Sequence, residues 1–115
     1  MFELLDRMVQ LQAQIRAGQI STQQALLAQV AQGRALRGQY ACVVDELPMT
    51  ASEAGPLAGI ALAHKDIFNL QDQLPGCGVQ HGTSQMGQQP AAAISALAKA
   101  GASQWATLVM APHAC

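Results

Sequence analysis

Aromatic side chains make up only 3% of this 115-residue chain, with one Trp, one Tyr and two Phe. Any core must therefore be built from Leu, Ile, Val, Met and Ala, which help raise the hydrophobic share to 50%. Charge is equally scarce, at 11% of residues against about 25% in an average globular domain. Glutamine takes many of the solvated positions instead. Net charge is −1 and no run of basic residues occurs. That excludes the electrostatic footprint a phosphate backbone needs, so no direct nucleic-acid binding is expected of this segment. No stretch is long and apolar enough to span a bilayer. The three cysteines are odd in number and irregularly spaced. This argues against a disulfide framework and for a reducing, cytoplasmic setting. Glu3 and Asp6 stand where a secretory signal would carry positive charge, so the opening residues do not read as a signal peptide.

What is present suits one small α/β domain. Leu4, Met8, Leu11 and Ile15 recur at helical spacing, and Gly18 is the expected stop. Ser21 and Gln24 have the spacing of a capping box, so a second helix should start there. Leu26, Leu27 and Val30 form its apolar side, and it is expected to end near Arg37. Both helices read chiefly as packing elements. Tyr40–Val44 reads as a first strand, and residues 45–54 as a loop broken by Pro48, Thr50 and Ser52. After Asp66 the segment Ile67–Leu70 still looks ordered. Residues 71–89 form a long irregular stretch with Pro75, Gly76, Gly78, Gly82 and Gly87. Pro90 is placed as the first residue of a third helix and Gly101 as its stop, with Ile94, Leu97 and Ala98 on one face. Trp105–Met110 reads as a third strand.

The stretch that organises the chain is Gly55-Pro56-Leu57-Ala58-Gly59-Ile60-Ala61-Leu62-Ala63-His64-Lys65-Asp66. It opens on a turn signal and runs almost wholly apolar from Leu57 to Ala63, as a short strand buried on both faces would. It ends in three ionisable residues. Lysine is rarely buried without a partner, so Lys65 has either reached the surface or been held in a dry site that favours its neutral form. A lysine free in water titrates near ~10.4. To act as a base it must be neutral near pH 7, which asks for roughly 7–8. Burial at the end of a strand is one source of that change. Alternation along a strand sends Lys65 to one face, and His64 and Asp66 to the other. Asp66 then need not stabilise the ammonium, and reads as an anchor for the following turn.

The G-P-L-A-G-I-x-x-x-x-K-D pattern resembles the N-terminal motif of the amidase signature family. That resemblance implies an amide-bond hydrolase with a Ser-Ser-Lys centre, and Lys65 falls on the position of the catalytic lysine. It extends to the Ala-rich helix, to Ala100-Gly101-Ala102 and to Met110. The chain departs from the family in three places. The loop before Gly55 is too short for the helix members carry there. Ala91 stands where an acid opens the third helix. Val79 replaces the serine that follows the glycine turn after Leu74-Pro75. A related amidotransferase subunit, which moves ammonia onto tRNA-bound glutamate or aspartate, shares the lysine motif.

Other constellations are weaker. His64 with Asp66 gives only two metal ligands, and His64 reads as a packed imidazole. Cys77-x-x-x-His81 with His113-x-Cys115 lacks the ligand spacing of common zinc sites, and a Cys77–His81 nucleophile is no better supported. Gly76-Cys77-Gly78 with Gly82 fails the dinucleotide fingerprint, because the third glycine is misplaced and no helix starts there. No metal or cofactor is expected. Ser84, Ser95 and Ser103 do not lie in a Gly/Ser-rich elbow.

The expectation is thus an α/β chain: two N-terminal helices, then strands of a mixed sheet with a flanking helix. It divides into a helical hairpin (1–38) and the start of an α/β core (39–115), the whole reading as the N-terminal fragment of one amidase-like domain. Lys65 is its one catalytic residue. The serine pair is expected elsewhere, so the 115 residues alone should be inactive. A small-molecule carboxamide would be the substrate of the complete enzyme. A non-catalytic binding module is the alternative, and open sheet edges suit a partner-dependent piece or a homo-oligomer.

Overall fold

The computed structural model describes residues 2–66, 68 and 90–109. Its elements run α1 (Phe2–Arg16), α2 (Thr22–Tyr40), β1 (Val43–Glu46), β2 (Ala61–Lys65), α3 (Ala92–Lys99) and β3 (Ser103–Leu108). The three strands form one mixed sheet in the order β1-β3-β2, with β3 antiparallel to β1 and parallel to β2. The α/β class and the order of helices and strands are as the sequence predicts.

Helix ends follow local chemistry. At α1, the Gly18 amide donates to Ile15 O and the Gln19 amide to Gln14 O, with Gly18 at φ 72°. At α3, the Gly101 amide donates to Ala98 O and the Ala102 amide to Leu97 O, with Gly101 at φ 102°. The two helices therefore stop by the same Schellman geometry, which needs a left-handed residue that glycine supplies without strain. The capping box of α2 forms in full: Gln24 N–H donates to Ser21 Oγ (3.1 Å), and Ser21 N–H donates to Gln24 Oε1 (3.0 Å).

Boundaries elsewhere differ from expectation. Helix α2 runs past Gly33 and Gly38 to Tyr40, and ends on Ala41 in the left-handed region (φ 49°). The first strand therefore begins at Val43, not Tyr40, and takes in Asp45 and Glu46. The third strand begins two residues early, at Ser103. Pro90 precedes Ala91, the N-cap of α3, instead of opening the helix. Residues 57–59 belong to a turn, and β2 starts only at Ala61. Among the described residues β2 is an edge strand, and Ala61, Leu62 and Ala63 are half-buried where burial on both faces is expected. Residues 47–53 carry no helix, in line with the short loop. Residues 69–89 and Met110 lie outside the described residues.

The core lies between α2 and the sheet. Val30, Trp105 and Ala106 form its centre, with Val43, Met49, Ala61 and Ala63 packed against it. Consecutive residues of a strand normally face opposite ways, yet Trp105 and Ala106 share this cluster. A bulge explains it. Leu62 pairs with Gln104 and Ala63 with Ala106, so β3 carries Trp105 as an extra residue. On the other side β1 skips Val44, between Val43↔Leu108 and Asp45↔Thr107. Leu26 is fully buried, whereas Leu27 on the next position is half exposed. Helix α1 packs through Leu11 and Ile15, which are half-buried. Its first turns leave Leu4, Leu5 and Val9 exposed, so packing accounts for only part of its apolar stripe.

Gly33 lies on α2 under the indole of Trp105, where a Cβ would overlap the ring. A Cβ at Gly38 would meet nothing within 4 Å. Gly33→Ala should therefore destabilise by about 1–3 kcal/mol through overpacking. Gly38→Ala should stabilise by about 0.5–1 kcal/mol through helix propensity. Equilibrium denaturation of the two variants checks the opposite signs.

Arg34 grips Glu46 with two hydrogen bonds, Nε–Oε1 at 2.9 Å and Nη2–Oε2 at 3.3 Å, and Arg37 stands 3.7 Å from the same carboxylate. The hydrogen bond from Arg34 holds the Glu46 carboxyl below its usual range, and Glu46 raises Arg34 in turn. A lowered folded value means that the pair's stabilisation is complete above the ordinary carboxylate range, near pH ~4.3. It disappears as pH falls through the folded value. Thermal melts between neutral and acid pH should show this acid-side loss in the wild type and a smaller one in Glu46→Gln.

Candidate functional site

The turn ahead of β2 is tied down from three sides. Gln12 of α1 donates its Nε2 to Pro56 O (2.7 Å). The Leu57 amide donates to Ala100 O at the end of α3 (2.8 Å). Inside the turn, the Ala58 amide bonds to Gly55 O and the Ile60 amide to Leu57 O. Nearby, Ser103 Oγ donates to Thr50 O (2.9 Å), which fixes the preceding loop against β3.

Gln29 of α2 provides the third tie. Its Nε2 donates to Gly59 O (2.7 Å) and to Ala25 O (2.9 Å), and its Oε1 accepts from the Ala61 amide (2.9 Å). One side-chain amide thus satisfies a backbone carbonyl and a backbone N–H on the outer edge of β2, as a neighbouring strand would. The inner edge pairs with β3: the Ser103 amide donates to Ile60 O, and the Asp66 amide to Leu108 O, both at 3.0 Å.

This register decides where the ionisable residues go. Lys65 ends β2 opposite Leu108, at the carboxyl end of two adjacent parallel strands. In open α/β sheets that end is where ligands bind. Lys65 shares a face with Ala61 and Ala63 by alternation, but lies beyond the core they help to form and is exposed. The described residues therefore do not build the dry setting that a neutral lysine requires. His64 and Asp66 are both buried, at 7% and 6% exposure, on the other face. The predicted alternation of these three residues is what the structure has.

His64 sits opposite Thr107 in the register, and its ring stands edge-on to Phe68, with centroids 5.7 Å apart and planes at 85°. Its Nδ1 lies 3.2 Å from Lys65 O. Asp66 anchors β2 to β3 through its backbone amide. Among the described residues no group of three or more His, Cys, Asp or Glu side chains is placed to hold a metal. Ser95 lies within α3, and Ser103 is buried at the start of β3 with its hydroxyl engaged, so neither is presented as a nucleophile. Cys77, His81, Ser84, His113, Cys115 and the 76–82 glycines lie outside the described residues. Among those residues that are described, no helix is long and apolar enough to cross a membrane.

Sequence reasoning singles out Lys65, reads His64 and Asp66 as structural, and passes over Gln29. A glutamine on a helix carries no sign that it will meet a strand edge 30 residues later. A strand starting after Gly59 with unpaired outward groups is the one available hint.

A βαβ arrangement with a lysine at the carboxyl end of its first strand is thus the class the geometry defines. The chain is similar to a glutamyl-tRNA(Gln) amidotransferase subunit from Alkalilimnicola ehrlichii (strain ATCC BAA-1101 / DSM 17681 / MLHE-1), at 31% identity over 102 residues. The match covers 77% of this chain and 21% of the relative, so the chain spans about a fifth of that protein's length. A stretch covering that share of this chain necessarily includes its middle, Lys65 among it. No family model matches the chain.

Replacing Gln29 by Leu should leave Gly59 O and the Ala61 N–H without partners at a similar bulk. The expected cost is about 2 kcal/mol or more, since each half-buried group left unpaired costs about 1–3 kcal/mol. Hydrogen exchange at the Ala61 amide should accelerate with it. Unchanged exchange at Ala61 would contradict the strand-mimic role.

Proposed function

We propose that this chain forms the lysine-bearing part of an amide-bond hydrolase of the Ser-Ser-Lys type, with Lys65 as its base. One observation carries the reading. Within the amidase-like stretch Gly55–Asp66, the fold presents Lys65 alone of the three ionisable residues, at the carboxyl end of parallel strands. His64 and Asp66 turn inward. The likeness to an amidotransferase subunit supports the same reading.

In this reading the neutral amine of Lys65 takes a proton, through a bridging serine, from a nucleophilic serine. The serine attacks the carboxamide carbonyl, the amine leaves with a proton returned along the same path, and water releases the acid from the acyl-enzyme. The serines, the oxyanion donors and the water-excluding walls come from outside the described residues. The substrate is a small carboxamide, and the setting is cytoplasmic.

A second reading is favoured by the relative's name. An amidotransferase subunit would run the same cleavage to free ammonia and deliver it to an acyl acceptor such as glutamate on tRNA. Nucleic acid would then be met by other parts of the assembly, because this segment has net charge −1 and no basic run.

The test is amide hydrolysis by the protein that joins this chain to its serine centre. Lys65→Ala should lower kcat by at least ~10²-fold, the usual worth of a general base. KM should change little. A variant that keeps its full rate sinks the assignment. Ammonia that appears only when an acyl acceptor is supplied identifies the amidotransferase reading.

A further inference from the structure

We infer that His64 is a positioning residue for Lys65, acting through the backbone. The inference rests on the reading of Lys65 as the working residue of this site. β2 is an edge strand whose odd-numbered residues turn their backbone groups outward, as the Ala61 amide does toward Gln29. Lys65 O belongs to that outward set, and His64 Nδ1 lies 3.2 Å from it. A carbonyl only accepts, so Nδ1 must carry the ring proton. The ring cannot swing away freely. His64 as a residue is 7% exposed, and its ring stands edge-on to Phe68. The outer edge of β2 is thereby held at both ends by side chains: Gln29 at Gly59 and Ala61, and His64 at Lys65.

The consequence falls on Lys65. The Lys65 carbonyl shares one planar peptide with the Asp66 amide, which bonds to Leu108 O on the β3 side. The imidazole holds the same peptide from its outer side, and the two ties together fix the backbone of Lys65 and so the direction in which its side chain leaves the sheet. The same tie sets the tautomer. Nε2 is left as a bare acceptor, and among the described residues it is buried without a hydrogen-bond partner. Buried polar atoms without partners are rare.

Two measurements test this on the full chain. The first needs no variant: long-range ¹H–¹⁵N correlation of the His64 ring at neutral pH. The expected result is the Nδ1–H tautomer, and an Nε2–H tautomer overturns the inference. The second uses the fact that Lys65 and Lys99 are the two lysines of the chain. Competitive acylation gives the reactivity of Lys65 relative to Lys99 as an internal standard. His64→Leu, which keeps bulk and loses the donor, should change that ratio by ~3-fold or more, the scale of one neutral hydrogen bond. His64→Asn, whose amide can donate to the same carbonyl, should restore it. An unchanged ratio in His64→Leu, or equal change in both variants, overturns the positioning role. Neither readout depends on amide hydrolysis, so a failed catalytic assignment for Lys65 remains distinguishable from a failed role for His64.

Discussion

The amide of Gln29 closing on Gly59 and Ala61 is the interaction on which the rest of the structure depends. β2 lies at the edge of a three-stranded sheet, and an edge strand offers unpaired backbone groups that must find partners. α2 supplies those partners from one side chain. That fixes the height of the helix over the sheet and brings Val30 onto Trp105 and Ala106. It also leaves the close approach of Gly33 to the indole as a consequence of the helix position. The Arg34–Glu46 pair, one turn further along, fastens the same helix to β1.

The amidase-like stretch divides into two parts with different physical reasons. Residues Gly55 to Gly59 are explained by packing: α1, α2 and the end of α3 all bond to this turn. Their identities therefore speak to the fold. Only the end of the stretch speaks to chemistry. There alternation buries His64 and Asp66 and leaves Lys65 outside. A resemblance confined to the turn would support an architecture alone, and the proposed activity rests on the lysine.

How much is legible in the sequence follows from the range of the interactions involved. The capping box at Ser21 and the glycine stops at Gly18 and Gly101 depend on neighbours within five residues, and they appear where the sequence places them. The facing of His64, Lys65 and Asp66 needs only the two-residue period of a strand. Helix α2 outruns its expected end because Gly33 and Gly38 look like helix breakers. One of them is instead demanded by Trp105, far along the chain. The bulges at Val44 and Trp105 shift strand boundaries by amounts no local pattern reveals. Gln29 is invisible for the same reason: its partners are chosen by the packing of α2, not by its sequence neighbours.

The claim at the centre is that this fold presents Lys65 to a serine it activates. The most direct measurement is the rate at which a fluorophosphonate, which labels only an activated serine, modifies the protein carrying this chain and its serine centre. The expected result is stoichiometric labelling of one serine that slows by orders of magnitude in Lys65→Met, where bulk is kept and the amine is lost. Equal labelling rates with and without the amine would contradict the claim and leave Lys65 as a solvated residue at the end of a strand.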